Sequence, residues 1–174
     1  MTARPPEARF RARPEARFCI FLEKGAEEAA RFYAATLPDT KVEQIHPIGP
    51  DRSLVLWSCM GASCMLMDGN AGFEARHDHS IAVATLDQAE TDRLWGVLTE
   101  GGEEGPCGWL CDRFGVHWQL VPTALTDMLG DADRAAAGRA QAAMMRMKKI
   151  DIAALRTAFE EGRAPRRSAG AGVS

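Results

Sequence analysis

The sequence predicts an α+β fold in which one βαβββ module is written twice. Three observations predict it. Short apolar runs bounded by turn residues read as strands. Two helix-period stretches open on Ala26-Glu27 and Ala89-Glu90, 63 residues apart. Each follows one strand-like run and precedes three more. The chain has 174 residues, 46% hydrophobic and 26% charged, enough to bury a core. No apolar run approaches the roughly 18 residues of a membrane span, because Ser58, Gly61 and Ser63 break the densest stretch, 54–67.

In the first module, 17–72, Phe18–Leu22 is an apolar run suited to a buried strand. The helix from Ala26 to Leu37 groups Ala26, Ala29, Ala30, Tyr33 and Leu37 on one face, leaves Glu27, Glu28 and Arg31 mostly outside it, and stops at Pro38. Val42–His46, Leu54–Cys59 and Ser63–Met67 read as three strands, with Gly61-Ala62 as the tight turn between the last two. The second module, 78–122, opens with a strand, His79–Thr85. Asp87 is a helix N-cap with Glu90 three residues on, a capping-box spacing. That helix presents Thr91, Leu94, Trp95 and Leu98 to the core and ends at Gly101-Gly102. Short strands follow around Glu103–Gly105 and Gly108–Cys111. The turn Asp112 to Gly115 then leads into Val116–Val121, which Pro122 stops. Residues 123–161 read as a helical arm: Leu125 to Leu129, Ala135 to Met147, and a helix capped by Asp151 with Ile152, Leu155 and Phe159 on one face. Met144, Met145 and Met147 are expected to pack on their own domain rather than serve a partner.

The two ends differ in kind from the body. Residues 1–16 repeat PEARF in an Arg/Pro-rich lead, and 162–174 carries RAPRRSAGAGVS; both are expected to be mobile tails. Residues 1–17 carry a net +3 and 162–174 another +3, so with −3 overall the body between them carries −9. An acidic body repels phosphate, which argues against a nucleic-acid partner. MTARPPEARF lacks the apolar segment of a secretory signal. Five cysteines (Cys19, Cys59, Cys64, Cys107, Cys111) without a CxxC pair fit reduced thiols in a cytoplasm, packed as small hydrophobes.

The stretches AEEAARFYAATLPDTKV, DQAETDRLWGVLTEGGEEGPCGWLCDRFGVHWQLVPTAL and MMRMKKIDIAAL resemble the PhnB-like family of the vicinal oxygen chelate superfamily. That family often carries the label 3-demethylubiquinone-9 3-methyltransferase, and its superfamily includes glyoxalase I, extradiol dioxygenases and fosfomycin and bleomycin resistance proteins. The resemblance covers about 18–157. It implies that each module forms a strongly curved mixed half-sheet, that two modules pair around a cup holding a small molecule, often with a divalent metal, and that the chain is a homodimer.

The resemblance also implies where metal ligands would stand. The Glu of the last strand corresponds to Gln119, a neutral and weaker ligand than a carboxylate. The first-strand position falls near Arg17 or Phe18, and neither coordinates a cation. The fourth-strand region offers Cys59, Cys64 and Asp68, outside the expected pattern. Only His79, opening the fifth strand, is a plausible ligand, and three or four must converge. His77, Asp78 and His79 together read as a polar loop entering a strand. Methyl transfer would need a strand, a Gly-rich turn and a ribose-gripping acid. Gly101-Gly102 instead follows a helix, and Glu103-Glu104 after it would repel anions. No spacing pairs Cys59, Cys64 or Cys107 with a His as a nucleophile.

What remains is a small organic molecule bound in the cup, without a complete metal site and with turnover left open. Phe21, Trp57, Cys59, His79, Trp109, His117 and Gln119 are its candidate contacts. Filled core is the alternative for each aromatic, because most of the 12 must be inside. A divalent-metal lyase or dioxygenase using His79 is the rival reading.

Overall fold

The computed structural model describes residues 17–69 and 79–162; His77, Asp78 and both tails lie outside the described residues. The chain divides into two compact units, one up to residue 71 and one from residue 72. Among the described residues no helix is long and apolar enough to cross a membrane.

The first unit contains β1 (Phe18–Leu22), α1 (Ala26–Thr36), β2 (Lys41–Gly49), β3 (Arg52–Cys59) and β4 (Ala62–Asp68). Its sheet has the order β1-β4-β3-β2, with β1 parallel to β4 and the other pairs antiparallel. The alternation of β3 turns Val55, Trp57 and Cys59 to one face, where α1 lays Ala26, Ala29, Ala30 and Tyr33. Small alanines bring the helix close enough for the Tyr33 and Trp57 rings to meet at 5.2 Å. Pro47 is tolerated in β2 because that strand is the sheet's edge. The hairpin turn is Met60-Gly61, one residue earlier than the sequence suggests. Cys59 pairs with Ala62, and both turn residues take positive φ (48° and 86°), as a two-residue hairpin requires.

The start of α1 is held from a distance. The buried Asp68 carboxylate at the end of β4 accepts from Ala26 N at 2.7 Å and from Ser53 N at 2.8 Å. It therefore does the work of an N-cap that Gly25, the residue in that position, has no side chain to do.

The second unit contains β5 (Ile81–Thr85), α2 (Gln88–Thr99), β6 (Glu103–Glu104), β7 (Trp109–Cys111), β8 (His117–Pro122), α3 (Thr123–Gly130), α4 (Arg134–Met144) and α5 (Ile152–Glu160). Its sheet order, β5-β8-β7-β6, repeats that of the first unit, again with one parallel pair. Asp87 caps α2 by accepting from Glu90 N at 2.8 Å. The Glu90 side chain returns to Leu86 N rather than to the cap residue itself. On the face covered by α2, Thr91, Leu94, Trp95 and Leu98 meet Val83, Leu110, Trp118 and Leu120, all buried.

The arm packs on this unit. Leu125, Met128, Ala140, Ala143, Ile150 and Leu155 form its core, with Val121, Met144 and Met147 packed against it. Of Met144, Met145 and Met147 only Met145 is exposed, at 63%. Helix α4 ends at Met144, three residues before the periodicity suggests. The chain beyond it pairs with the loop before β7 instead: Cys107 N donates to Met147 O and Gly108 N to Lys148 O. Gln88 fastens the start of α5, donating to Ile150 O and accepting from Ile152 N.

Candidate functional site

The seven candidates fall in different places. Trp57 (0% exposed) and Cys59 (4%) lie on the helix-covered face of the first sheet, so the expectation that they face a ligand is corrected: the same alternation that groups them puts them under α1. Phe21 lies on the opposite face, paired with Met67, among the partly buried Leu54, Leu56 and Met65. His79 is exposed and stands two residues ahead of β5.

Trp109, His117 and Gln119 come together. All three are partly buried on the face of the second sheet opposite α2, and Trp109 pairs directly with Gln119 in register. Cys111 pairs with His117, and Glu103 with Cys111, on the same face. Gln119 Nε2 donates to Ser80 Oγ at 2.7 Å, a contact the sequence did not suggest. Ser80, rather than His79, is thus the residue beside Gln119.

Cys59, Cys64 and Cys111 are not poised for attack. Burial, reinforced by the neighbouring Cys64, pushes Cys59 up to about 11, against a smaller opposing effect of the Thr40 hydroxyl. Burial raises Cys64 as well. Cys111 is raised by burial and then by the charges of Asp112 and Glu103. For Cys59 the linkage is explicit: the native state keeps its advantage below about pH 9 and loses it as pH rises toward about 11. Thermal midpoints between pH 8 and 11 are expected to fall more steeply in the wild type than in Cys59→Ala; equal slopes would remove the argument.

Among the described residues the donor set does not fit a divalent metal. Near the first-strand position, Arg17 donates to Cys64 O at 3.3 Å and pairs with Glu43 at 2.9 Å, placing a cation where a ligand is needed. Asp68 is engaged by two backbone N–H groups. Gln119 is a neutral amide tied to Ser80. Among the described residues no group of three or more His, Cys, Asp or Glu could hold an ion.

Nor do the paired glycines form a cofactor cradle. A Cβ at Gly102 would run into the Cys111 carbonyl and the Asp112 backbone, so this glycine serves close packing between the α2 exit and β7. A broad groove of about 830 Å³ in the first unit, bordered by Leu37, Asp39, Lys41, Glu43 and Ser58, contains none of the seven candidates and has no aromatic wall.

The family model described as 3-demethylubiquinone-9 3-methyltransferase matches residues 15–121. No protein of curated function matches the chain. Among solved structures, the PhnB protein from Bacillus cereus superposes with a TM-score of 0.55 at 23% identity, covering 63% of this chain and 99% of that one. A protein from Pseudomonas aeruginosa gives 0.53 at 20% identity, covering 63% and 98%. The fosfomycin resistance protein FosX from Mesorhizobium loti gives 0.47 at 15% identity, covering 62% and 90%. The family match spans more than half of the sequence and runs through both βαβββ modules, so the chain belongs to the 3-demethylubiquinone-9 3-methyltransferase (PhnB-like) family.

Proposed function

We propose that this protein binds a small organic molecule on the face of the second sheet that carries Trp109, His117 and Gln119, without a divalent metal. The observation that carries the reading is the separation of the two faces of β8. Trp118 and Leu120 are fully buried under α2, whereas His117 and Gln119 stand partly buried on the other side with the Trp109 indole beside Gln119. A flat aromatic wall next to a few fixed polar groups is the usual make-up of a small-molecule site. The raised Cys111 thiol supports binding rather than covalent catalysis at this face.

Native mass spectrometry of the protein from its own host is expected to show a co-purified organic molecule that Trp109→Ala loses. Stoichiometric iron, manganese, nickel or zinc that disappears in His79→Ala would replace this reading with that of a metal-dependent lyase or dioxygenase.

The reading includes self-association as a homodimer. Phe21, on the face of the edge strand β1 opposite α1, is 46% exposed, apolar area that a second copy would cover. Sedimentation at micromolar concentration is expected to give about twice the chain mass of 18.9 kDa; a species of 18.9 kDa alone would refute the dimer.

A further inference from the structure

Two sulfur atoms outside the sheet face proposed above stand together in the loop before β7. Cys107 Sγ donates to Met145 Sδ at 3.7 Å, although the two residues are 38 positions apart. The Cys107 side is partly buried and Met145 is 63% exposed, so both sulfurs lie at the surface. Backbone bonds fix each side of the contact. Met145 N donates to Gln141 O, Arg146 N to Ala143 O and Met147 N to Met144 O, closing the turn that follows α4. Cys107 N then donates to Met147 O at 2.8 Å and Gly108 N to Lys148 O at 2.7 Å, which sews that turn to the loop carrying the thiol.

The thioether already accepts from the thiol, so a cation that displaces the thiol proton finds a second sulfur in place. Two sulfurs each about 2.3 Å from one ion are about 3.8 Å apart at a tetrahedral angle and about 4.6 Å apart when linear. The observed 3.7 Å is therefore close to a bonding separation as it stands. The thioether decides the class of ion. It is uncharged and soft, a poor ligand for hard divalent ions, whereas thiolate with thioether selects copper(I). Zinc asks for four ligands, and among the described residues no group of three or more His, Cys, Asp or Glu gathers to supply them. The neighbouring ammonium groups are already compensated, Lys148 by Glu104 and Lys149 by Asp92. The geometry points to a site for one soft monovalent cation, copper(I), held between the Cys107 thiolate and the Met145 thioether. On binding, the S–H bond breaks, its proton leaves to solvent and a sulfur–metal bond takes its place, with no change of oxidation state.

Silver(I), soft, monovalent and stable in air, is the first probe. It is added to full-length Cys19→Ser protein with ¹³C-labelled methionine methyl groups, a background that removes the exposed thiol of β1. One equivalent is expected to shift the Met145 methyl signal, identified as the one missing in Met145→Leu, while the same concentration of zinc(II) leaves it in place. Silver affinity should fall at least about tenfold in Met145→Leu, because a second ligand held beside the first acts at high effective concentration. Under anaerobic conditions copper(I) held by bicinchoninate should pass to the wild type and stay on the chelator with Cys107→Ser. Silver that binds without moving the Met145 methyl signal, or equally well in Met145→Leu, would overturn the site. Zinc that moves the signal as silver does, or copper(I) that the wild type leaves on the chelator, would overturn the assigned ion.

Discussion

Asp112→Ala is expected to be one of the most damaging single substitutions in the second unit. The carboxylate is 3% exposed and accepts from three directions. Its Oδ1 takes Phe114 N at 2.9 Å and Val116 N at 3.0 Å, and its Oδ2 takes Trp118 Nε1 at 2.8 Å. This one side chain closes the turn between β7 and β8 and fixes the largest buried ring of the unit. Alanine would strand two fully buried donors and one partly buried donor. Each stranded donor costs about 1–3 kcal/mol, so a total loss of at least about 3 kcal/mol is expected. In thermal unfolding that corresponds to a fall of roughly 10 °C. Asp112→Asn keeps the Oδ1 bonds but turns an N–H toward the Trp118 indole, and should lose only about 1–3 kcal/mol. Wild type above Asn above Ala is the expected order, followed by thermal midpoint and by Trp118 fluorescence. An alanine variant within about 1 kcal/mol of wild type would show that the turn holds without its hub.

Much of this architecture is written locally. The Ala-Glu starts of α1 and α2, the Asp87 and Asp151 caps and the strand alternation all act within a few residues of chain. The parts that could not be read there depend on partners distant in sequence. Asp68 caps α1 from 42 positions away, and Gln88 grips the start of α5 across 62 and 64. Face assignment failed at β3 for a related reason. Leu54 and Leu56 on one side are as apolar as Val55 and Trp57 on the other, so alternation says which residues travel together but not which side α1 covers. In β8 the two sides differ, with Trp118 and Leu120 against His117 and Gln119, and there the polar side could be recognised as the uncovered one. The Ser80–Gln119 bond crosses 39 residues and has no local signature at all. Proximity in sequence also misled at α4, where the helical period continues past Met144 but the backbone leaves it to pair with Cys107 and Gly108.

That junction sets up the second large effect, in Gly108→Ala. Gly108 has φ of +84°, and a Cβ there would lie 2.6 Å from the Leu120 carbonyl and 3.2 Å from Ile150 Cγ1. The first neighbour is β8 backbone and cannot swing aside; the second belongs to the buried centre of the arm. Gly108 also donates to Lys148 O at 2.7 Å and accepts from Leu120 N at 2.8 Å, so relieving the clash loosens the arm, β8, or both. The left-handed backbone alone costs an alanine about 1 kcal/mol, and the forced shift adds about 1–3 kcal/mol. Gly115→Ala isolates the first contribution, because its φ is +83° and nothing lies within 4 Å of the added carbon. The expected result is a loss about two to four times larger at Gly108 than at Gly115. It should be accompanied at Gly108 alone by loss of the co-purified molecule proposed above, since Trp109 and Gln119 flank the strained contact in sequence on either side. Equal losses at the two glycines would mean that the arm and β8 are not held together through this point.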